Sequence, residues 1–153
     1  MKDCAPMPEA AKRLLLVDDD DAVRELAGGV LRNAGYTVQV VNGGPEAVSA
    51  MEKGPAFHAL ITDKDMPELN GYDVVRRAAE LAPSMAVVMM TGHAERLPPG
   101  LALHIDAYLS KPFKSPAELV ETLKQAFDAR AAKLKREEAK ATLERVKAQL
   151  KKP

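Results

Sequence analysis

Along this chain, short apolar runs alternate with amphipathic stretches, and that rhythm predicts most of its elements. Arg13-Leu14-Leu15-Leu16-Val17 is almost wholly apolar and ends at four consecutive aspartates, the pattern of a strand buried on both faces. Val23, Leu26, Ala27, Val30 and Leu31 then recur at helical spacing, with Asp20 placed to cap that helix and Gly35 to close it. Tyr36 to Val41 is rich in strand-favouring residues. Asn42-Gly43-Gly44 reads as a turn. Pro45 suits the first position of a helix reaching about Lys53, where Gly54-Pro55 breaks it. His58 to Thr62 reads as a third strand and Met66 to Gly71 as a loop. Tyr72 to Leu81 reads as a helix carrying Val74, Val75 and Ala78 on one face. Met85 to Met90 is a fourth, near-continuous apolar strand, and Ala107 to Leu109 a short fifth. Pro116 opens a last helix that runs to about Gln149.

Strands alternating with helices of this length imply an α/β fold with a parallel sheet covered on both faces. In such sheets ligands bind beyond the carboxyl ends of the strands. Asp18-Asp19 follow the first strand, Asp63 the third, Thr91 the fourth and Lys111 the fifth, so the four positions converge on one edge. Carboxylates forced together raise the cost of ionising one another, and a hard divalent cation with a preference for oxygen, such as Mg²⁺, relieves that cost. An aspartate can also act as a nucleophile toward phosphorus. Phosphoryl transfer depends mainly on positioning and charge neutralisation, which a lysine, a metal and a threonine hydroxyl can supply.

Four motifs carry a family resemblance: Leu16-Val17-Asp18-Asp19-Asp20; Ile61-Thr62-Asp63-Lys64-Asp65-Met66-Pro67 with Gly71; Met89-Met90-Thr91-Gly92; and Tyr108-Leu109-Ser110-Lys111-Pro112-Phe113. In this order and spacing they resemble the receiver domains of bacterial two-component response regulators, particularly the single-domain chemotaxis-type receivers, over about residues 11–128. The resemblance implies a five-stranded doubly wound parallel sheet, flavodoxin-like, with strand order 2-1-3-4-5. It implies Asp63 as phosphoacceptor, and Asp19 and Asp63 as direct Mg²⁺ ligands. Asp18 would act mostly through a metal-bound water, and Asp65 through its backbone carbonyl. Thr91 would be the switch hydroxyl, Lys111 the cation on a phosphoryl oxygen, and Tyr108 the aromatic switch coupled to Thr91. The phosphodonor would be a sensor histidine kinase or a phosphotransfer protein, and the product a conformational switch acting on an output protein the sequence does not name. Catalysis would extend no further than accepting the phosphoryl group and slowly hydrolysing it. Asp63-x-Asp65 also resembles the nucleophile motif of haloacid-dehalogenase-like phosphatases, but there the motif normally follows the first strand. A scaffold that keeps the receiver fold and pairs through its last helix is a further reading.

Charge divides the chain. Residues 129–153 hold nine Lys/Arg against three Glu, a net +6, and residues 1–128 carry thirteen Lys/Arg against nineteen Asp/Glu, a net −6. The expected organisation is a leader over residues 1–10, a receiver over 11–128 and a charged helical extension over 129–153. Leu134, Leu143, Val146 and Leu150 are sparse on that extension, so little docking on the body is expected of it. Ala139, Leu143, Val146 and Leu150 follow coiled-coil spacing for barely two heptads, which leaves a frayed helix and a self-associating one both open. Leu97-Pro98-Pro99-Gly100 does not suit a helix interior, so the helix that the family carries between the fourth and fifth strands should be short, displaced or partly disordered. His58, His93 and His104 read as ordinary residues, and Asp20-Asp21 as helix N-terminal charge. One cysteine, Cys4, and no apolar stretch long enough for a membrane span point to the cytoplasm. No helix-turn-helix or zinc-ligand pattern is found, so no DNA-binding domain is expected.

Overall fold

The computed structural model describes residues 12–92 and 100–151. Strands β1 (Arg13–Val17), β2 (Thr37–Val41), β3 (Ala59–Asp63), β4 (Ala86–Thr91) and β5 (Ala107–Ser110) alternate with helices α1 (Asp21–Asn33), α2 (Gly44–Lys53), α3 (Gly71–Leu81) and α4 (Pro116–Leu150). A 3-10 turn, Leu101–His104, precedes β5. The strands form one sheet in the order β2-β1-β3-β4-β5, every pair parallel, as the family resemblance implied.

The continuous apolar strands are explained by the two cores they divide. Leu14 and Leu16 of β1 face one way with Ile61, Val88 and Met90, and pack against Ala27 and Leu31 of α1 and Leu119, Leu123 and Ala126 of α4. Leu15 and Val17 face the other way with Leu60, Val87 and Met89, against Ala47 of α2 and Val74, Val75 and Ala78 of α3. Successive strand residues point to opposite faces, so only an unbroken apolar run can satisfy both layers. Leu26, read as part of the inner face of α1, is instead 56% exposed.

Three strand ends differ from the sequence reading. β3 continues through Asp63, which pairs with Met90, β4 through Thr91, and β5 through Ser110, which pairs with Thr91. The backbone ladder extends one residue farther because Lys64 N–H donates to the Met90 carbonyl (3.0 Å) and Lys111 N–H to that of Thr91 (2.9 Å). Both site residues are thus held by the sheet itself. Local capping follows the sequence. The Asp20 carboxylate accepts from the Ala22 and Val23 N–H groups at 2.9 and 3.3 Å. Gly35, at φ 104°, ends α1 with Tyr36 N–H on the Leu31 carbonyl and its own N–H on that of Arg32, a turn whose left-handed residue favours glycine.

Between β4 and β5, the described residues contain only the turn at Leu101–His104, anchored by buried Leu101 and Ile105. His93 and Leu97-Pro98-Pro99 lie outside the described residues, as does the leader with Cys4.

The expectation of little docking beyond Asp128 needs correcting. Asp106, whose side chain is fully buried, accepts from Arg130 Nε at 3.0 Å and Lys133 Nζ at 2.9 Å. Arg130 also donates to the carbonyls of Pro83 and His104, and Lys133 to those of Leu103 and Ile105. Docking here is polar rather than apolar, so counting leucines underestimated it. From Lys135 onward every described residue is exposed.

Candidate functional site

The order β2-β1-β3-β4-β5 reverses direction between β1 and β3, with α1 on one face and α2 on the other. Such a switch point opens a crevice beyond the carboxyl ends of the central strands. Asp18 and Asp19 follow β1 at this point, Asp63 ends β3, and Lys111 directly follows β5, with its peptide bond to Pro112 cis. One ligand oxygen from each of Asp18, Asp19 and Asp63 lies within 4.8 Å of the others. Asp18 and Asp63 are buried, while Asp19 is open to solvent. Lys111 Nζ bridges the two buried carboxylates, 2.8 Å from Asp18 Oδ2 and 3.0 Å from Asp63 Oδ1. The second oxygen of Asp18 accepts from Asp20 N–H at 2.9 Å.

The electrostatics follow from this crowding. Burial holds the Asp63 pKa above its ordinary value. The Lys111 hydrogen bond opposes that rise, and the charges of Asp18 and Asp19 add to it. Burial alone would lower the Lys111 pKa. The hydrogen bonds and charges of Asp18 and Asp63 together outweigh burial, so Lys111 is held above its usual range and stays protonated. Three carboxylates facing one ammonium leave a net negative, oxygen-only crevice, a donor set that fits a hard divalent cation.

The remaining sequence-chosen residues sit around this cluster. Thr91 ends β4 beside Ser110, partly exposed at the rim. Tyr108, on β5 opposite Met89, is 46% exposed, and burial of part of its ring followed by the nearby Tyr72 raises its pKa. The Asp65 side chain is 76% exposed and lies 4.0 Å from Lys64 Nζ, apart from the carboxylate cluster. A phosphatase of the rival type would need that side chain inside the site. His58 is structural: its Nδ1 accepts from Arg13 N–H at 2.9 Å.

Two supporting residues escaped the sequence reading. Arg24 donates to the Asp18 carbonyl at 2.7 Å and pairs with Asp21 one helical turn away, so α1 braces the end of β1. Its position six residues past Asp18, on the first turn of a helix entering from the site, was the available signal. Gly71 is the other. Its N–H donates to the Lys64 carbonyl at 2.8 Å, and a Cβ there would lie 2.3 Å from the Asp63 carbonyl oxygen. The glycine quoted only as part of a motif is therefore what lets α3 approach the end of β3.

The model of the response regulator receiver domain matches residues 14–124, so this chain belongs to that family. It is a receiver of two-component signal transduction, a phosphoacceptor signalling domain rather than an enzyme of the usual kind. It is 38% identical over 104 residues to the response regulator receiver protein CpdR of Brucella abortus, covering 67% of this chain and 86% of that protein. Other curated relatives, among them transcriptional regulators, are matched over half of their length or less. The fold superimposes on a CheY-like receiver domain from Methanospirillum hungatei with TM-score 0.69 and 28% identity, covering 79% and 97% of the two chains. It also superimposes on the response regulator TrrA of Thermotoga maritima, solved with Mg²⁺–BeF, with TM-score 0.68 and 27% identity, covering 76% and 99%.

Proposed function

We propose that Asp63 is the phosphoacceptor and that Asp19 and Asp63 hold Mg²⁺ directly, with Asp18 acting through a bound water and Asp65 through its backbone carbonyl. The observation that carries this reading is the Lys111 bridge between Asp18 and Asp63, with Asp19 alongside. When bound, Mg²⁺ supplies the charge neutralisation that lets a phosphoryl group approach three carboxylates. An Asp63 carboxylate oxygen attacks phosphorus while the phosphorus–nitrogen bond of a donor phosphohistidine breaks, and the imidazole leaves. Lys111 then exchanges one carboxylate partner for a phosphoryl oxygen. Thr91, at the rim, turns its hydroxyl toward that group, and the outward Tyr108 follows by moving against β4. Slow hydrolysis of the aspartyl phosphate resets the switch.

The donor is a sensor histidine kinase or a phosphotransfer protein, and the output is a change of partner. Among the described residues no helix is long and apolar enough to cross a membrane, which fits cytoplasmic work. We place the end of the packed unit just past Lys133, with the rest of α4 projecting from it. The test is intact-mass spectrometry after incubation with acetyl phosphate and Mg²⁺. The protein should gain a single phosphate. Asp63→Asn, and the unaltered protein in EDTA, should gain none. An adduct of equal yield on Asp63→Asn would overturn the reading.

A further inference from the structure

The distal half of α4 takes no part in the receiver site and, among the described residues, has no cover. Residues 135–151 are exposed throughout, and Leu143, Val146 and Leu150 are 52%, 44% and 79% exposed. These three and Ala139 are spaced four, three and four residues apart, so they form one narrow stripe of the a/d kind. Lys135, Glu138, Ala139, Thr142, Leu143 and Val146 line a shallow groove along it. The stripe is presented rather than collapsed, because Arg130 and Lys133 fix the root of the helix to buried Asp106.

The flanks of the stripe decide what it fits. With Leu143 and Leu150 at a, and Ala139 and Val146 at d, Lys140 and Lys147 fall at e, and Lys135, Thr142 and Gln149 at g. No acidic residue falls at e or g, since Glu137, Glu138 and Glu144 fall at b and c, and Glu138 is the one carboxylate that reaches the groove. A second copy of this helix is a poor match in either direction. A parallel pair sets Lys135 against Lys140, and an antiparallel pair sets e-position lysines against one another. An anionic membrane is a weaker fit as well, because the stripe is narrow and carries no aromatic residue to enter an interface. We propose that this face docks an amphipathic helix of another protein whose apolar seam is flanked by Asp and Glu. The contact does not use Asp63, so failure of the phosphoacceptor assignment would leave it standing.

The test uses the full chain and a synthetic heptad peptide with Leu at a and d and Glu at e and g. Control probes are the same peptide with Lys at e and g, and phosphatidylglycerol vesicles. Calorimetry should show binding of the Glu peptide that weakens as salt rises, with no binding of the Lys peptide. Leu143→Asp should abolish binding. The double substitution Lys140→Glu and Lys147→Glu should weaken it about tenfold and confer binding of the Lys peptide. Both variants alter exposed positions, and unchanged circular dichroism and phosphorylation would verify that they fold. Binding of neither peptide, equal binding of both, tighter binding to the vesicles, or sedimentation of the chain as a dimer lost on Leu143→Asp would each overturn the proposal.

Discussion

At the scale of single residues, Lys111 holds the site together before any ligand arrives. Its ammonium is the counter-charge that Asp18 and Asp63 share, and both carboxylates lie in a poorly solvated crevice. Lys111→Met would leave two adjacent carboxylates without that partner. Because the lysine is partly solvated, the loss should be modest for a buried pair, about 2 kcal/mol in EDTA by urea denaturation. Mg²⁺ should restore much of it, and equal stability of variant and parent in EDTA would refute this account of Lys111. Asp63 behaves oppositely. Its folded pKa lies above the ordinary 3.8, so its ionised form disfavours folding. That penalty is absent below 3.8, grows as pH rises from there toward the folded value, and is complete above it. Asp63→Asn should therefore melt above the parent near pH 7 in EDTA, and Mg²⁺ should narrow the gap by stabilising only the parent. That Asp63 and Lys111 converge was legible in the sequence because each follows a strand of one parallel sheet and lies in a family motif. Arg24 and the burial of Lys64 were not legible, since nothing in a sequence says which way a side chain leaves a turn.

At the scale of elements, the strands could be read because burial on both faces demands unbroken apolar runs, and their order followed from the family motifs. Their ends shifted by one residue at Asp63, Thr91 and Ser110, where backbone ladder bonds extend pairing regardless of side-chain type. The last helix was harder. Its first turns dock through Leu119, Leu123 and Ala126, which periodicity finds, but its attachment past Asp128 runs through Arg130 and Lys133 to Asp106. A buried aspartate just before a strand looks like any loop residue until the two cations three residues apart on a helix face are brought over it. Truncation separates root from tip. Ending the chain after Asp128 should lower stability by about 3 kcal/mol, because Asp106 is left buried without its cations. Ending it after Glu137 should leave chemical denaturation unchanged. Equal stability of the two truncations would show that the Asp106 clamp contributes nothing.

At the scale of the whole molecule, one sheet edge gathers the phosphoryl chemistry and the opposite end of β5 anchors the projecting helix. Asp106 and Lys111 lie on either side of β5, so the strand that carries Tyr108 links the acidic crevice to the root of α4. The central claim is that Asp63, and not Asp18, Asp19 or Asp65, becomes the acyl phosphate. Borohydride reduces an aspartyl phosphate to homoserine, which marks the modified position permanently. Phosphorylating the full chain with acetyl phosphate and Mg²⁺, reducing it, and sequencing the peptides by tandem mass spectrometry should find homoserine at residue 63 alone. Homoserine at residue 18, 19 or 65 in place of 63 would contradict the account.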